Sequence, residues 1–420
     1  MAQNGIPARR SAAYLLDRIL GDGKLMSELL AAGALDRLEA PDRARAQRLA
    51  GDVLRNLDRA DKLISRHAKK VPPLPIRNLL RLGALELAQG AAAHGVVNDL
   101  VSIASRNRHH GRLKGLVNAV LRKLAEDAPR DWSGLAVPRL PGWLRAPLVE
   151  AWGKASMVAM ELAHHRGAPL DLSAKGDPAQ VAEVTGGELL PTGSVRLRDF
   201  GQVTGLPGYS DGEWWVQDAS AAIPAKLVRG QRVLDLCAAP GGKTLQLASA
   251  GHDVTAVDAS EARMGRVQEN LDRVGVAARL EVNDAREVQG SWDAVLLDAP
   301  CSATGTIRRH PDLPFAKDGS DFMELFELQA QMIDHAVTLV KPGGQLVFCT
   351  CSLLPDEGEV QIEDALARHP DLSWDTHALN ADWIEPSWRA TDGGLRLRPD
   401  FWADRGGMDG FYIAALRKSA

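Results

Sequence analysis

Cysteine is scarce: four residues in 420 (Cys237, Cys301, Cys349, Cys351), with no C-x-x-C pair among them. A disulfide framework and a zinc site are both disfavoured by that count and spacing, and free thiols in a cytoplasmic protein without a metal are the expectation. Long apolar runs are missing as well. None approaches the roughly 20 residues a membrane helix needs, and the first residues, MAQNGIPARRSAAYLL, contain no unbroken signal-peptide core. Membrane-bound and secreted classes are therefore set aside. The chain also shows no internal repeat and no low-complexity tract. What is present is ordinary for a folded protein, 45% hydrophobic and 25% charged residues, with length enough for roughly two to three domains.

The net charge of −4 conceals an uneven distribution. Residues 1–130 carry 23 Lys and Arg against 13 Asp and Glu, whereas the remainder carries 27 against 41. A basic first segment is suited to a polyanion, and the acidic remainder to other work. Within residues 8–126 apolar side chains recur with helical spacing: Ala12, Leu15, Leu16, Ile19 and Leu20, then Val97, Leu100, Val101 and Ala104, then Leu113 to Leu124. Pro72, Pro73 and Pro75 separate two such runs, so an all-α bundle is expected. Arg106 to Lys114 form a basic loop that reads equally well as a phosphate grip or a solvated helix start.

A Pro- and Trp-punctuated bridge follows, with one helix expected from about 144 to 163, and then short segments with turn signals over 169–210. From Gly230 the pattern alternates strand and helix as a parallel sheet requires, with strands expected at 232–236, 253–257, 278–282, 292–297, 344–349 and 410–415. The domain reading is thus 1–128, 129–212 and 213–420.

Four motifs carry chemistry. LDLCAAPGGKT at 234–244 runs a strand into small residues and a helix, where backbone can approach a ligand. It imitates the end of a phosphate-binding P-loop, but the glycine that motif requires is Cys237 here, which excludes an ATPase site. Asp258 ends the next strand, placed to accept from ribose hydroxyls, although a dinucleotide site satisfies the same rule. Asp284 ends the third strand, suited to an adenine amino group; either Asp reads alternatively as a helix cap. DAPCSATGTIRRHPD at 298–312 delivers Asp298 and Cys301 to the carboxyl edge of the sheet, and VFCTCSLLPDEGE at 347–359 delivers Cys351 from another strand. Ligands on open α/β sheets bind outside that edge, so the two thiols can face one substrate. Cys237 and Cys349 read as buried small hydrophobes.

With GMDGFYIAAL at 407–416, these motifs resemble the bacterial RsmB/Sun family of ribosomal RNA cytosine-5 methyltransferases, and LVNAVLRKL at 116–124 resembles the NusB-like RNA-binding domain. The resemblance implies a Rossmann-like class I methyltransferase domain of α/β fold, an N-terminal all-α NusB-like bundle and a small intervening α/β subdomain. It implies S-adenosylmethionine as cofactor, held by Cys237, Ala238, Ala239, Pro240, Gly241, Gly242 and Lys243 with Asp258, Asp284 and Asp298. It implies Cys351 as nucleophile, Cys301 as its assistant in release, Asp298 and Pro300 at the cytosine, and Arg308 and Arg309 at the RNA backbone. The implied partner is small-subunit (16S) rRNA, met by a monomer. The strand at 170–175, LDLSAK, departs from the Arg and Asn that family members carry there. Two rival readings remain at this point: a tRNA cytosine-5 methyltransferase, and a non-catalytic RNA-binding factor on the same fold.

Overall fold

The computed structural model describes residues 5–198 and 200–420. The chain forms two compact units, one running through Gly167 and including Ile307–Asp318, the other Ala168–Thr306 with Gly319–Ala420.

The first unit is helical: α1 (Ile6–Asp22), α2 (Met26–Ala31), α3 (Ala40–Arg55), α4 (Leu57–Ser65), α5 (Leu74–Ala88), α6 (Ala93–Ser105), α7 (Lys114–Asp131) and α8 (Gly142–Arg166). The expected apolar stripe of α1 is its buried face, with Ala12, Leu15, Leu16 and Ile19 fully enclosed. They pack with Leu79 to Leu87 of α5, Leu100 of α6 and Val117 to Leu124 of α7 in one core. Such burial against neighbours, more than intrinsic propensity, stabilises helices of this length. A buried ionic cluster accompanies it: Arg9 reaches Glu86 with Nε at 2.6 Å and Nη2 at 2.9 Å, and Arg45 reaches the same carboxylate at 3.0 Å. The helix expected near 144–163 is longer and broken, since Gly153 (φ 78°, ψ 157°) interrupts it with a non-helical backbone. Residues 307–318 complete this unit. Asp312 Oδ2 accepts from the N–H of Met26 at 2.7 Å, and the Arg308 carbonyl accepts from Arg55 Nη2 at 2.9 Å.

The second unit opens with a four-stranded antiparallel sheet, made by β1 (Leu170–Ala174), β2 (Glu188–Leu189), β3 (Val195–Leu197) and β4 (Trp214–Val216) in the order β2-β3-β1-β4, with helix α9 (Pro178–Thr185) against it. After α10 (Ile223–Leu227) comes the main sheet: β5 (Arg232–Leu236), α11 (Gly242–Ser249), β6 (Asp253–Asp258), α12 (Glu261–Val274), β7 (Arg279–Val282), β8 (Trp292–Asp298), α13 (Phe322–Leu339), β9 (Val340–Thr350), α14 (Glu359–Arg368), β10 (Leu372–Trp374), β11 (Leu395–Leu397) and β12 (Phe411–Lys418). The order is β10-β12-β9-β8-β5-β6-β7, parallel from β7 to β9, with β12 antiparallel to β9 and β11 paired to β12. Helices cover both faces, which is why these strands read as continuous apolar runs. Val233, Ala294, Leu296, Val347 and Cys349 belong to one core, while Leu234, Leu236, Val295, Leu297, Leu346 and Phe348 belong to the other. The first strand of this main sheet, β5, is central, so successive connections leave it in opposite directions and open a crevice at its carboxyl end.

The strand at 170–175 that departs from the resemblance has a structural task. Asp171 is buried and receives Arg196 Nε at 2.7 Å and Nη2 at 2.6 Å, and Arg196 Nη1 donates to the Gly407 carbonyl at 2.7 Å. These two charged side chains therefore pin the GMDG segment from inside.

Candidate active site

All the strand-end residues singled out by sequence lie along one edge of the parallel sheet. Asp258 is the last residue of β6, Asp284 follows β7, Asp298 is the last residue of β8, and Cys351 follows β9 directly. Parallel registration sets Asp298 beside Cys349.

The loop after β5 is tightly built. Cys237 adopts φ 61° and Gly241 φ 101°, the latter capping α11. A Cβ at Gly241 would press on Val267 of α12 at 3.1 Å, and the positive φ disfavours any side chain, so this glycine serves the turn and the helix packing as well as any ligand. The Ala238 N–H donates to the Val257 carbonyl at 3.0 Å, and the Ala239 N–H to Asp258 Oδ2 at 3.2 Å. Asp258 also accepts from the Ser260 N–H at 3.0 Å and lies 3.5 Å from Arg263. Pro240 stands exposed. Asp284 is gripped by Arg286 through Nη2 at 2.6 Å and Nε at 3.0 Å, and that hydrogen-bonded pairing lowers its carboxyl to about 2.

At the centre Lys243, buried at the start of α11, donates to Asp298 Oδ2 at 2.7 Å and lies 5.4 Å from the Phe411 ring centroid. Burial disfavours its charge, yet the Asp298 carboxylate beside it holds the ammonium above its ordinary value. The Cys349 thiol donates to Asp298 Oδ1 at 3.4 Å, so it is more than filler, although burial and then Asp298 keep it protonated. Burial likewise pushes Cys237 up to about 12.

The two remaining thiols meet. Cys301 Sγ lies 3.5 Å from Cys351 Sγ, and the hydrogen bond between them, followed by burial, raises Cys301 well above the usual thiol range. Gly305 makes this closeness possible: its N–H donates to the Cys351 carbonyl at 2.9 Å, its carbonyl accepts from Gly410 at 2.8 Å, and a Cβ on it would lie 2.0 Å from the Gly410 oxygen. The GMDG motif near the chain end is thereby joined to the cysteine loops. Pro300 precedes Cys301, and its carbonyl accepts from Gln329 of α13 at 2.9 Å.

Arg308 and Arg309 belong to the helical unit. Arg308 has no solvent exposure, whereas Arg309 and His310 are exposed. A buried guanidinium cannot meet a phosphate from that position, which leaves Arg309 as the surface cation of the pair. On the same unit Arg106, Arg108, Arg112 and Lys114 are all exposed.

Sequence reasoning missed Asp235, Ser302, Ser352, Gln329 and Glu357. Asp235 is fully buried in β5, its Oδ2 accepting from Thr244 Oγ1 at 2.6 Å, and burial pushes its carboxyl up to about 7. The folded chain thus binds this proton more tightly than the unfolded chain, so its contribution to stability falls as pH rises from about 4 toward 7 and is level above, by up to about 1.4 kcal/mol per pH unit. Asp235→Asn is expected to gain in melting temperature relative to the wild type between pH 5 and pH 8. A difference independent of pH would refute the assignment.

Two protein-family models match the chain. The model for 16S rRNA methyltransferase RsmB/F matches residues 222–417, and that for the NusB family matches residues 6–126. Ribosomal RNA small subunit methyltransferase B of Vibrio cholerae is 33% identical over 98% of this chain and 97% of its own length. The protein of that name from Pseudomonas putida is 35% identical, with 98% of each chain covered. The chain therefore belongs to the RsmB/F family of 16S rRNA methyltransferases, and it is an S-adenosylmethionine-dependent RNA methyltransferase with a NusB-like helical region. Among solved structures, PH0851 superimposes with TM-score 0.71 at 23% identity over 98% of this chain and 99% of that one. A methyltransferase homologue from Pyrococcus horikoshii gives 0.54 at 27% identity, covering 65% of this chain and 93% of that one. Among the described residues no helix is long and apolar enough to cross a membrane.

Proposed function

We propose that the protein methylates carbon 5 of a cytidine in small-subunit rRNA through a transient bond between Cys351 and the base. The observation that carries this reading is the pair of thiols, Cys301 and Cys351, 3.5 Å apart beside the Lys243–Asp298 ion pair.

The donor set fits S-adenosylmethionine. Carboxylates at or just past the ends of β6, β7 and β8, on one edge of the sheet, are acceptors for hydroxyl and amino hydrogens, and the small-residue loop 237–242 leaves backbone uncovered by bulk. Asp258 would take the ribose and Asp284 the adenine amino group, with residues 237–243 and Asp298 completing the site. When bound, that cofactor supplies an electrophilic methyl group.

Carbon 5 of cytosine is a weak nucleophile. Addition of the Cys351 thiolate to carbon 6 breaks the 5,6 double bond and makes carbon 5 the nucleophilic end of an enamine, dividing one difficult step into easier ones. Charge gathering at ring nitrogen 3 is met by the Lys243–Asp298 pair, which supplies or shares a proton there. After methylation the proton on carbon 5 must leave before the carbon–sulfur bond breaks, and its electron pair restores the double bond as Cys351 departs as thiolate. Cys301 suits that second task. At rest its proton is retained chiefly by the hydrogen bond to Cys351; once Cys351 is bonded to carbon 6 that restraint is gone, Cys301 gives its proton to water, and the thiolate left behind accepts the proton from carbon 5. The target base has to be unstacked for carbon 6 to be reached. The basic helical unit would bind phosphates and set the position of the RNA.

The test is transfer of radiolabelled methyl to 16S rRNA, tRNA and protein from cells lacking the gene, with bisulfite sequencing of the labelled RNA. Label in 16S rRNA with new bisulfite-resistant cytidines is expected; label confined to tRNA or protein, or at positions that bisulfite converts, would overturn the reading.

A further inference from the structure

A fully buried carboxylate, Glu357, lies beneath both cysteine loops, and the mechanism above does not use it. Its Oε1 accepts from the Ser302 N–H at 2.8 Å and from Gln329 Nε2 at 3.0 Å, and its Oε2 accepts from Ser302 Oγ. Gln329 Nε2 also donates to the Pro300 carbonyl. Both neighbours of Cys301 are thus fixed by one carboxylate and the amide it orients. On the other side, the Glu357 carbonyl accepts from Thr350 Oγ1 at 2.8 Å, and Thr350 directly precedes Cys351. Hydroxyls complete the bridge, with Ser302 Oγ and Thr304 Oγ1 each 3.2 Å from Ser352 Oγ.

Burying a carboxylate costs several kcal/mol, and two loops can be joined more cheaply by apolar contact. The arrangement is also unequal. Cys351 follows directly on a strand paired on both sides, to β8 and β12, whereas Cys301 sits three residues beyond the end of β8 on a loop. The loop is the partner that needs fixing.

We propose that Glu357 is a positioning residue that, with Gln329, holds Cys301 against Cys351 so that the second thiol is in place for release of the methylated base. This rests on the covalent mechanism proposed above. Loss of the carboxylate leaves Cys351 and its attack on carbon 6 in place but lets Cys301 drift, so the bound intermediate should persist.

The experiment uses the full-length protein as Glu357→Ala, Glu357→Gln and Ser302→Ala. Dibromobimane, which bridges thiols only a few ångströms apart, reports the sulfur spacing with no RNA or methyl donor present, and peptide mapping identifies the bridged pair. In the wild type Cys301 and Cys351 should be bridged; in Glu357→Ala bridging should fall at least about fivefold. Turnover should drop about 10- to 100-fold, as a displacement near 1 Å does, with KM for S-adenosylmethionine within about twofold and a covalent protein–RNA band accumulating on denaturing gels. Glu357→Gln keeps the shape and the acceptor toward Ser302 and should recover most of the turnover. If Glu357→Ala does not fold, Ser302→Ala should show the same changes in smaller measure. Unchanged bridging, or adduct formation that falls in step with turnover, overturns the proposal. Methylation surviving in Cys351→Ala would instead sink the covalent mechanism, and the bridging result would still report on Glu357.

Discussion

Cys351→Ala is expected to lose methyl transfer by at least about 10⁴-fold, the scale seen when a covalent nucleophile is removed, and to form no protein–RNA adduct. Cys301→Ala should behave differently: it should attack, methylate once and remain joined to the RNA as a slow band on denaturing gels. The contrast follows from where the two sulfurs sit. Cys351 extends β9, whose pairing with β8 and β12 fixes it, while the Cys301 proton is retained through Cys351 itself. Normal turnover by Cys301→Ala together with adduct in Cys351→Ala would reverse the two roles.

The second large effect concerns the ion pair. Asp298→Ala removes the acceptor 2.7 Å from an ammonium whose side chain is only 9% exposed. Leaving such a charge unpaired costs about 3 kcal/mol, the low end of the range because Asp298 itself is part-exposed. Turnover should fall further than stability accounts for, by about 10³-fold, since the group proposed to meet charge at ring nitrogen 3 is lost with it. Asp298→Asn keeps the shape and one acceptor; its melting temperature should recover toward the wild type while kcat/KM stays low. Recovery of both together would make Asp298 a structural residue.

The edge of the sheet that carries the proposed site was readable because its residues obey a local rule: a run of buried apolar residues ends in an acid or a thiol. The strand expected at 232–236 is β5 residue for residue, that at 292–297 is β8 but for one residue at its end, and that at 344–349 is the second half of β9, which starts at Val340. The helical stripe of α1 was equally plain, because four of its five apolar positions are fully enclosed. The Glu357 network was not readable. Its parts lie at 300–304, 329 and 350–357, and hydroxyl and amide residues brought together from such distances leave no period in the sequence. The acidic pair after Pro355 was the one visible trace. Arg308 was misleading for the opposite reason, since a charge in a loop is expected at the surface and this one is enclosed. Asp171 belongs with it: a charge that interrupts an apolar strand is explained by Arg196, 25 residues on, and by the Ala219 N–H, 48 residues on.

The excursion of residues 307–318 bears on modularity. A gene fragment ending at Gly167 would encode eight helices yet omit the carboxylate that receives the N–H of Met26 and the carbonyl that receives Arg55. It would also leave bare the side of the core on which Phe315 and Ala316 pack. The helical half is thus not a cassette that recombination can lift out at a single cut, and an exchange of this region between relatives has to carry the distant dodecapeptide with it.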